Sequence, residues 1–509
     1  MEVVLRPPGG GGLGVAAAVL TVMLVAVVWM ISEAISRRRG RLPPGPVGLP
    51  VIGNFLELVG GKGLPHRAMA KLSRKHGPII FLKLGKVPLV VVSDRKLARA
   101  CLTGNNDKIF AGRPQMEAVR RLAFGDCPGI AMTPYGDAWR HTRKLCSLQI
   151  FTTRRVSEFE PTRRSQIMAL IRRIKEQGEE PVNLTQAIGS LTEAMTSALL
   201  LGKPLAEIGS EAGINMQTLV QRMTELFQVP IIGEFIPALG FLDRSIKSKL
   251  DQVHAGFEKV FSQLILERQQ RPPDSPQVIL DVLLDNLDAD WAKSIMMELI
   301  AAGIDSSATT LDWVMAELVA NPEMMKRLQA ELDEVAEGED RLIEEAELDR
   351  LLYMKAVLKE TMRLHPAVPL LVPHMSMEAC NVGGYKIPKG SRLLINAWAI
   401  GRDPHCWPDQ PERFLPERFL TAEGSLIDFR GQHFELLPFG SGRRICPGLP
   451  LALPLIHSTL ANLVHTFDWC LPPGHSVDLS ERFSTVAGRA SPLFAIPRLR
   501  HPICIPGTL

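Results

Sequence analysis

Ten residues, Phe439-Gly440-Ser441-Gly442-Arg443-Arg444-Ile445-Cys446-Pro447-Gly448, constrain this 509-residue chain more than any other stretch. Glycines at 440, 442 and 448 let the backbone turn tightly and approach a flat partner closely. Pro447 and Gly448 precede an apolar run with helical patterning that continues towards His465. Cys446 therefore stands at a helix N-terminus, where the dipole and free amides stabilise a thiolate. Arg443 and Arg444 offer cations for carboxylates. The same residues also suit a surface loop around a buried structural cysteine.

The other seven cysteines are scattered, with no CxxC pair, which argues against zinc ribbons and thioredoxin-like chemistry. Eight in so long a chain do not form a disulfide scaffold. Hydrophobic residues at 46% can bury a large core. A net charge of +4 argues against nucleic acid as a partner. Gly61-Lys62-Gly63 lacks the Ser or Thr of a P-loop, and no GxGxxG joins a strand to a helix. A tightly bound nicotinamide or flavin is not expected, so any electrons come from another protein.

Leu13 to Ile31 is an uncharged apolar run. As a helix it spans about 28 Å, close to the ~30 Å hydrocarbon core of a bilayer. Arg37, Arg38, Arg39 and Arg41 follow it, so the bulk of the chain is expected on the cytosolic side. A cleaved signal peptide is the rival reading. Pro43, Pro44, Pro46 and Pro50 then favour an extended spacer. The expected organisation is a lumenal end and anchor at 1–36, a basic proline-rich hinge at 37–50 and one globular domain at 51–509.

Within that domain, Ile79–Leu84 and Pro88–Val92 flank Gly85-Lys86-Val87 as a hairpin. Residues 138–368 read as mostly helical, punctuated at Asn183, Asp290 and Asn321-Pro322, with a long helix from about Asp288 to Ala320. Short apolar runs broken by Gly and Pro return at 380–396. The class is mainly α with small β-sheets.

The cysteine segment resembles the haem-binding signature of the cytochrome P450 superfamily, FxxGxRxCxG, at every fixed position. The resemblance implies the P450 fold, haem b (iron protoporphyrin IX), Cys446 as axial iron ligand, Arg444 on a propionate and Phe439 near the proximal face. Lys359-Glu360-Thr361-Met362-Arg363 resembles the family's ExxR helix and Pro416-Glu417-Arg418-Phe419 its PERF segment. They imply a buried structural network of Glu360, Arg363 and Arg418. Trp139-Arg140-His141-Thr142-Arg143 is similar to the WxxxR helix, which implies propionate contacts from Trp139 and Arg143. His374 occupies a position where relatives carry Arg or His near the other propionate.

Ala302-Gly303-Ile304-Asp305-Ser306 resembles the family's oxygen-activating motif, with Ser306 where Thr is usual. Asp305 and Ser306 are thus the expected catalytic pair, passing protons to bound oxygen; unaided by the resemblance, the segment reads as a helix kink. The hinge, Phe110–Pro114 and Pro134–Trp139 look most like plant microsomal A-type members. That subgroup implies an endoplasmic-reticulum monooxygenase of phenylpropanoids, flavonoids or terpenoids. Its partners would be a diflavin NADPH-cytochrome reductase, cytochrome b5 as an optional second donor, membrane lipid and a small apolar or aromatic substrate. By family position the substrate would meet Leu122, Phe124, Ala301, Ala302, Leu370, Leu371, Val372, Thr485 and Val486. The alternative is a haem-thiolate isomerase or dehydratase acting on hydroperoxides without a reductase; the Asp305-Ser306 pair speaks against it.

Overall fold

The computed structural model describes residues 40–59, 63–209, 213–272, 276–483 and 486–501, with scattered positions between 20 and 35. Most of the Leu13–Ile31 run and the whole of the 502–509 tail lie outside the described residues. Among those described, no helix is long and apolar enough to cross a membrane.

Helices dominate, and one helix organises them. Ala289–Ala320 is apolar on nearly every side, so it can only be interior. It packs against Leu184–Leu201, Leu352–Leu364 and Leu449–Thr466. Asp288 caps its start by accepting from the Trp291 amide at 2.9 Å, and Pro322 opens the next helix immediately after Asn321. The helix thus begins and ends as expected, from Asp288 to Ala320, and Asp290 lies inside its first turn. Asn183 caps Leu184–Leu201 as expected, accepting from the Gln186 amide.

The sheets are small. Ile79–Leu84 and Val87–Val92 form the expected antiparallel hairpin. Arg392–Ile395 adds to it in parallel and His374–Met375 completes the four strands. A two-stranded hairpin pairs Glu481–Phe483 with Ala487–Arg489. The Trp313 indole on the central helix donates to the Ala487 carbonyl at 2.9 Å, tying that hairpin to the core.

From Pro44 onward the proline-rich segment is extended, as expected, and it is bound to the globular body. The Phe81 amide donates to the Pro44 carbonyl at 2.8 Å, and Asn54 donates to the Pro46 carbonyl at 3.1 Å. Carbonyls of a stiff extended chain suit the open edge of a strand, so the prolines dock as well as space.

The Glu481 hairpin is also tied from its other side. Glu481 accepts from His66 Nε2 (3.0 Å), Arg67 Nε (2.7 Å) and Trp398 Nε1 (3.0 Å). Burial alone would raise its carboxyl, but the hydrogen bonds from His66 and Arg67 hold it down at about 2. A depressed carboxyl contributes stability above its ordinary value and loses it as the pH falls towards the folded one. The melting-temperature gap between the parent and Glu481→Gln should therefore be full above pH 4.5 and narrow as the pH falls towards 2. A gap that stays constant over that range would contradict the assignment.

Candidate active site

The cysteine loop is built from two left-handed glycines. Gly440 has φ +71° and Gly442 φ +67°. A Cβ on Gly442 would meet the Leu102 carbonyl and the Asp107 carboxylate at 2.5 Å, so no other residue fits without displacing the backbone. The Cys446 amide donates to the Phe439 carbonyl at 2.9 Å, which closes the loop. The helix Leu449–Thr466 starts directly afterwards. Burial pushes the Cys446 thiol up, while the Gly448 and Leu449 amides and the Arg143 guanidinium pull it down. Those three groups favour a thiolate at Sγ.

Arginines converge beside it. Arg143 Nη2 donates to the Ile445 carbonyl at 2.9 Å. Arg444 donates to the carbonyls of Ala111 (2.8 Å) and Thr133 (2.7 Å) and lies over the Trp139 ring at 4.2 Å. Burial lowers Arg444 to about 10, and it keeps N–H groups beyond those bonds for a carboxylate. Arg443 points away: it is half-exposed and pairs with Asp107 at 3.1 Å. Of the two loop arginines, only Arg444 is in place to meet a buried anion.

Two expected contacts change on inspection. The single N–H of the Trp139 indole donates to the Ile130 carbonyl at 3.0 Å, so the ring supplies apolar surface rather than a free donor. His374 is buried, and its Nδ1 lies 2.8 Å from the Phe110 carbonyl. A carbonyl only accepts, so Nδ1 carries the proton. Burial, Arg113 and Arg444 push His374 down to about 3, leaving a neutral ring with Nε2 as an acceptor. A carboxylate binding there would have to bring a proton onto Nε2.

On the central helix, Ser306 Oγ donates to the Ala302 carbonyl at 2.7 Å, and Thr310 Oγ1 to the Ser306 carbonyl at 2.9 Å. Burial holds the Asp305 carboxyl above its ordinary range, so it retains a proton more readily than a surface acid. Ala301 to Ser306 and Leu449 to Leu453 are partly accessible, unlike the fully buried turns further along each helix. They offer apolar surface suited to a flat ring system. With Cys446 and Arg444, the donor set fits haem: a thiolate, a cation for a carboxylate, and apolar walls.

The expected substrate contacts divide. Leu371 adopts φ +53° and packs over the cysteine loop: a Cβ on Gly440 would lie 3.9 Å from its Cδ1. Leu370 is buried beside the first hairpin, Val372 is 38% exposed and Val486 is half-buried. Thr485 lies outside the described residues. Leu122 and Phe124 are enclosed in the core, where Phe124 faces His254 at 4.9 Å and Phe261 at 6.0 Å.

Glu360, Arg363 and Arg418 meet as expected. Arg363 Nε and Nη2 grip the two Glu360 oxygens at 2.6 and 2.7 Å, and Arg418 Nε reaches Glu360 at 3.1 Å. Arg363 also donates to the carbonyls of Gly401, Pro411 and Arg413.

Two residues escaped the sequence reading. Arg113 is buried and donates to the carbonyls of Ala131 (2.9 Å) and Pro373 (2.8 Å). Glu298 lies half-buried on the central helix and accepts from the Ile130 amide at 2.6 Å. A lone carboxylate in the apolar stretch Ile295–Ala302 was the available signal. A separate cluster, Asp333, His465 and His501, offers three ligand atoms within 4.8 Å of one another. Its imidazoles stack at 4.3 Å and 18°, so a metal in the plane of one ring lies out of the plane of the other. Both His501 nitrogens already face carboxylates, Asp340 at 2.9 Å and Asp333 at 3.1 Å.

Comparison with known proteins agrees with this geometry. The family model described as Cytochrome P450 matches residues 43–496. The chain is 38% identical to Cytochrome P450 CYP736A12 of Panax ginseng over 505 residues, covering 94% of this chain and 98% of that protein. It is 36% identical to the flavonoid 3'-monooxygenase of Petunia hybrida over 502 residues, covering 94% and 97%. A desmethyl-deoxy-podophyllotoxin synthase of Sinopodophyllum hexandrum is likewise 36% identical, over 94% and 96%. Among solved structures, a zebra fish cytochrome P450 with abiraterone superposes with a TM-score of 0.72 at 28% identity, covering 86% of this chain and all of that one. Taken with the cysteine loop and its arginines, these matches place the chain in the cytochrome P450 family of haem-binding monooxygenases.

Proposed function

We propose that the protein hydroxylates a small apolar or aromatic plant metabolite, of phenylpropanoid, flavonoid or terpenoid type, using O2 and electrons from NADPH through a diflavin reductase. The observation that carries this reading is the glycine-shaped Cys446 loop, with the Gly448 and Leu449 amides and Arg143 beside the sulfur, together with Asp305 next to Ser306 on the central helix. Relatives named for a flavonoid and a podophyllotoxin reaction support the substrate class. When bound, haem supplies O2 activation: one oxygen atom enters a substrate C–H bond, the other leaves as water, and two electrons and two protons are consumed.

The chain's own residues handle the protons. Burial raises the Asp305 carboxyl, which suits it to supplying a proton, and the Ser306 hydroxyl is oriented by its bond to the Ala302 carbonyl. Serine lacks the threonine methyl that narrows χ1, so that bond has more of the orienting to do. Ser306→Ala should raise peroxide released per NADPH several-fold while haem content stays at the parent level. Unchanged coupling of NADPH to product would refute the relay.

A membrane face accords with an anchored enzyme at the endoplasmic reticulum. Val47, Leu49, Val51 and Leu56 are exposed, as are Ile232, Leu239, Phe241 and Leu242. Phe55 and Phe235 meet edge-to-face at 5.1 Å, so the two apolar groups share one side of the molecule. An open cavity of about 680 Å³ beside them, walled by Pro114, Glu234 and Met375, is a candidate mouth. Lipid contact there and electron supply by cytochrome b5 belong to the same proposal. The decisive assay incubates microsomes carrying this protein and reductase with pooled phenolics and terpenoids. Products one oxygen heavier, formed only with NADPH, are expected. Turnover of a hydroperoxide without NADPH would instead establish the isomerase or dehydratase reading.

A further inference from the structure

The segment Gly129–Thr133 is held from two sides. On one side Glu298 of the central helix accepts from the amides of Ile130 (2.6 Å) and Ala131 (3.0 Å). On the other, the carbonyls of Ile130, Ala131 and Thr133 receive Trp139 and Arg444, which are expected to face haem, together with Arg113. Trp139 Nε1 donates to Ile130 at 3.0 Å, Arg113 Nε to Ala131 at 2.9 Å and Arg444 Nη2 to Thr133 at 2.7 Å. Gly129 has φ +80°, and a Cβ there would overlap the Glu298 carboxylate. The tight approach therefore depends on glycine at that position.

We propose that Glu298 is a positioning residue that pins the Gly129–Thr133 strap and thereby sets the grip of Arg444 on haem and the place of the Trp139 ring beside it. The proposal rests on the haem reading of Arg444 and extends it to the helix that carries Asp305 and Ser306. A carboxylate held largely away from solvent is costly unless its oxygens are occupied. Here burial pushes the Glu298 carboxyl up to about 7, while the successive backbone amides on its oxygens and the Arg113 guanidinium favour the charge. Release of the carboxylate frees the amides, and the Ile130 carbonyl, in the same peptide unit as the Ala131 amide, moves with it; that carbonyl accepts from Trp139 Nε1 at 3.0 Å and from Arg444 Nη1 at 3.4 Å. The central helix and the arginine face thus share one strap, which begins at the glycine that admits the acid.

The test uses the haem-loaded protein. Glu298→Gln keeps the shape but turns one acceptor oxygen into a donor that opposes an amide. Amide hydrogen exchange over 129–133 should accelerate by about tenfold or more, the scale of a lost hydrogen bond to a charged group, while Leu352–Leu364 stays protected. Glu298→Asp, with the charge but less reach, should fall between Gln and the parent. Strap exchange in the Gln variant equal to the parent overturns the proposal, as does an Asp variant no slower than Gln. If the Gln variant does not fold, the Asp variant is compared with the parent, and equality there overturns it.

Haem transfer to excess apomyoglobin tests the coupling. Glu298→Gln and Arg444→Lys should each speed haem loss, and the Glu298 effect should shrink in the Arg444→Lys background. Independent, multiplicative effects would refute transmission through the strap. If Arg444→Lys alone leaves haem loss unchanged, the haem reading of Arg444 fails, whereas the pin itself is still decided by hydrogen exchange.

Discussion

Cys446→Ala is expected to give a folded protein that holds haem loosely, shows no thiolate-type band in its reduced carbon monoxide complex and has background oxygenation. The fold should survive because the loop is shaped by backbone rather than by the thiol. Gly440 and Gly442 set the turn, and the Cys446 amide, retained in alanine, keeps its bond to the Phe439 carbonyl. What disappears is the one group at that point able to carry negative charge towards iron, together with the partner of the Gly448 and Leu449 amides. Electron donation from a thiolate is what favours O–O cleavage, so loss of the sulfur removes the chemistry and not merely affinity. Cys446→Ser separates the two roles: it keeps a small polar group for the amides but not the soft, strongly donating sulfur. A thiolate-type band persisting in either variant would overturn the ligand assignment.

What could be read beforehand was local in the chain. The cysteine loop, the Glu360–Arg363 pair, the first hairpin and the cap at Asn183 all lie within a few residues of their partners, so spacing and residue type expose them. The P450 resemblance then supplied Arg418, which no local pattern links to Glu360. Contacts across long separations stayed hidden. Glu298 meets Ile130 across 168 positions, and Arg113 meets Pro373 across 260. Neither pairing leaves a periodic trace. Orientation was hidden too: adjacent Arg443 and Arg444 read alike, yet one reaches out to Asp107 and the other inward to Ala111 and Thr133. Leu122 and Phe124 were placed in the pocket by family position, but apolar residues in that loop also fill the core, and packing against His254 and Phe261 took Phe124 there. The donor capacity of Trp139 and His374 depended on carbonyls at Ile130 and Phe110 that sequence does not place.

Glu360→Gln is expected to cost the fold roughly 3–5 kcal/mol, because it leaves buried arginine charge facing a neutral amide. The Glu360 and Arg363 side chains are wholly out of contact with solvent, so water cannot compensate either one. Glu360 joins more than one pair: it also accepts from the Leu415 amide at 2.8 Å and from Arg418 at 3.1 Å. Arg363 in turn gathers the carbonyls of Gly401, Pro411 and Arg413, so this one contact ties the Leu352–Leu364 helix to the chain leading into the PERF segment. Arg363→Lys should fare little better than the loss of Glu360. A single ammonium cannot span both carboxylate oxygens and those carbonyls as the planar fork does. Arg418→Ala should cost less, since the Glu360–Arg363 bidentate pair remains closed without it. Urea unfolding transitions of the three variants would rank them, and a Glu360→Gln transition within about 1 kcal/mol of the parent would show that the buried pair is not structural in this sense. A scaffold role makes a second demand that a proton-relay role would not meet. The fraction of Glu360→Gln that folds and binds haem should release no more peroxide per NADPH than the parent, whereas Ser306→Ala, with parental stability, should release more.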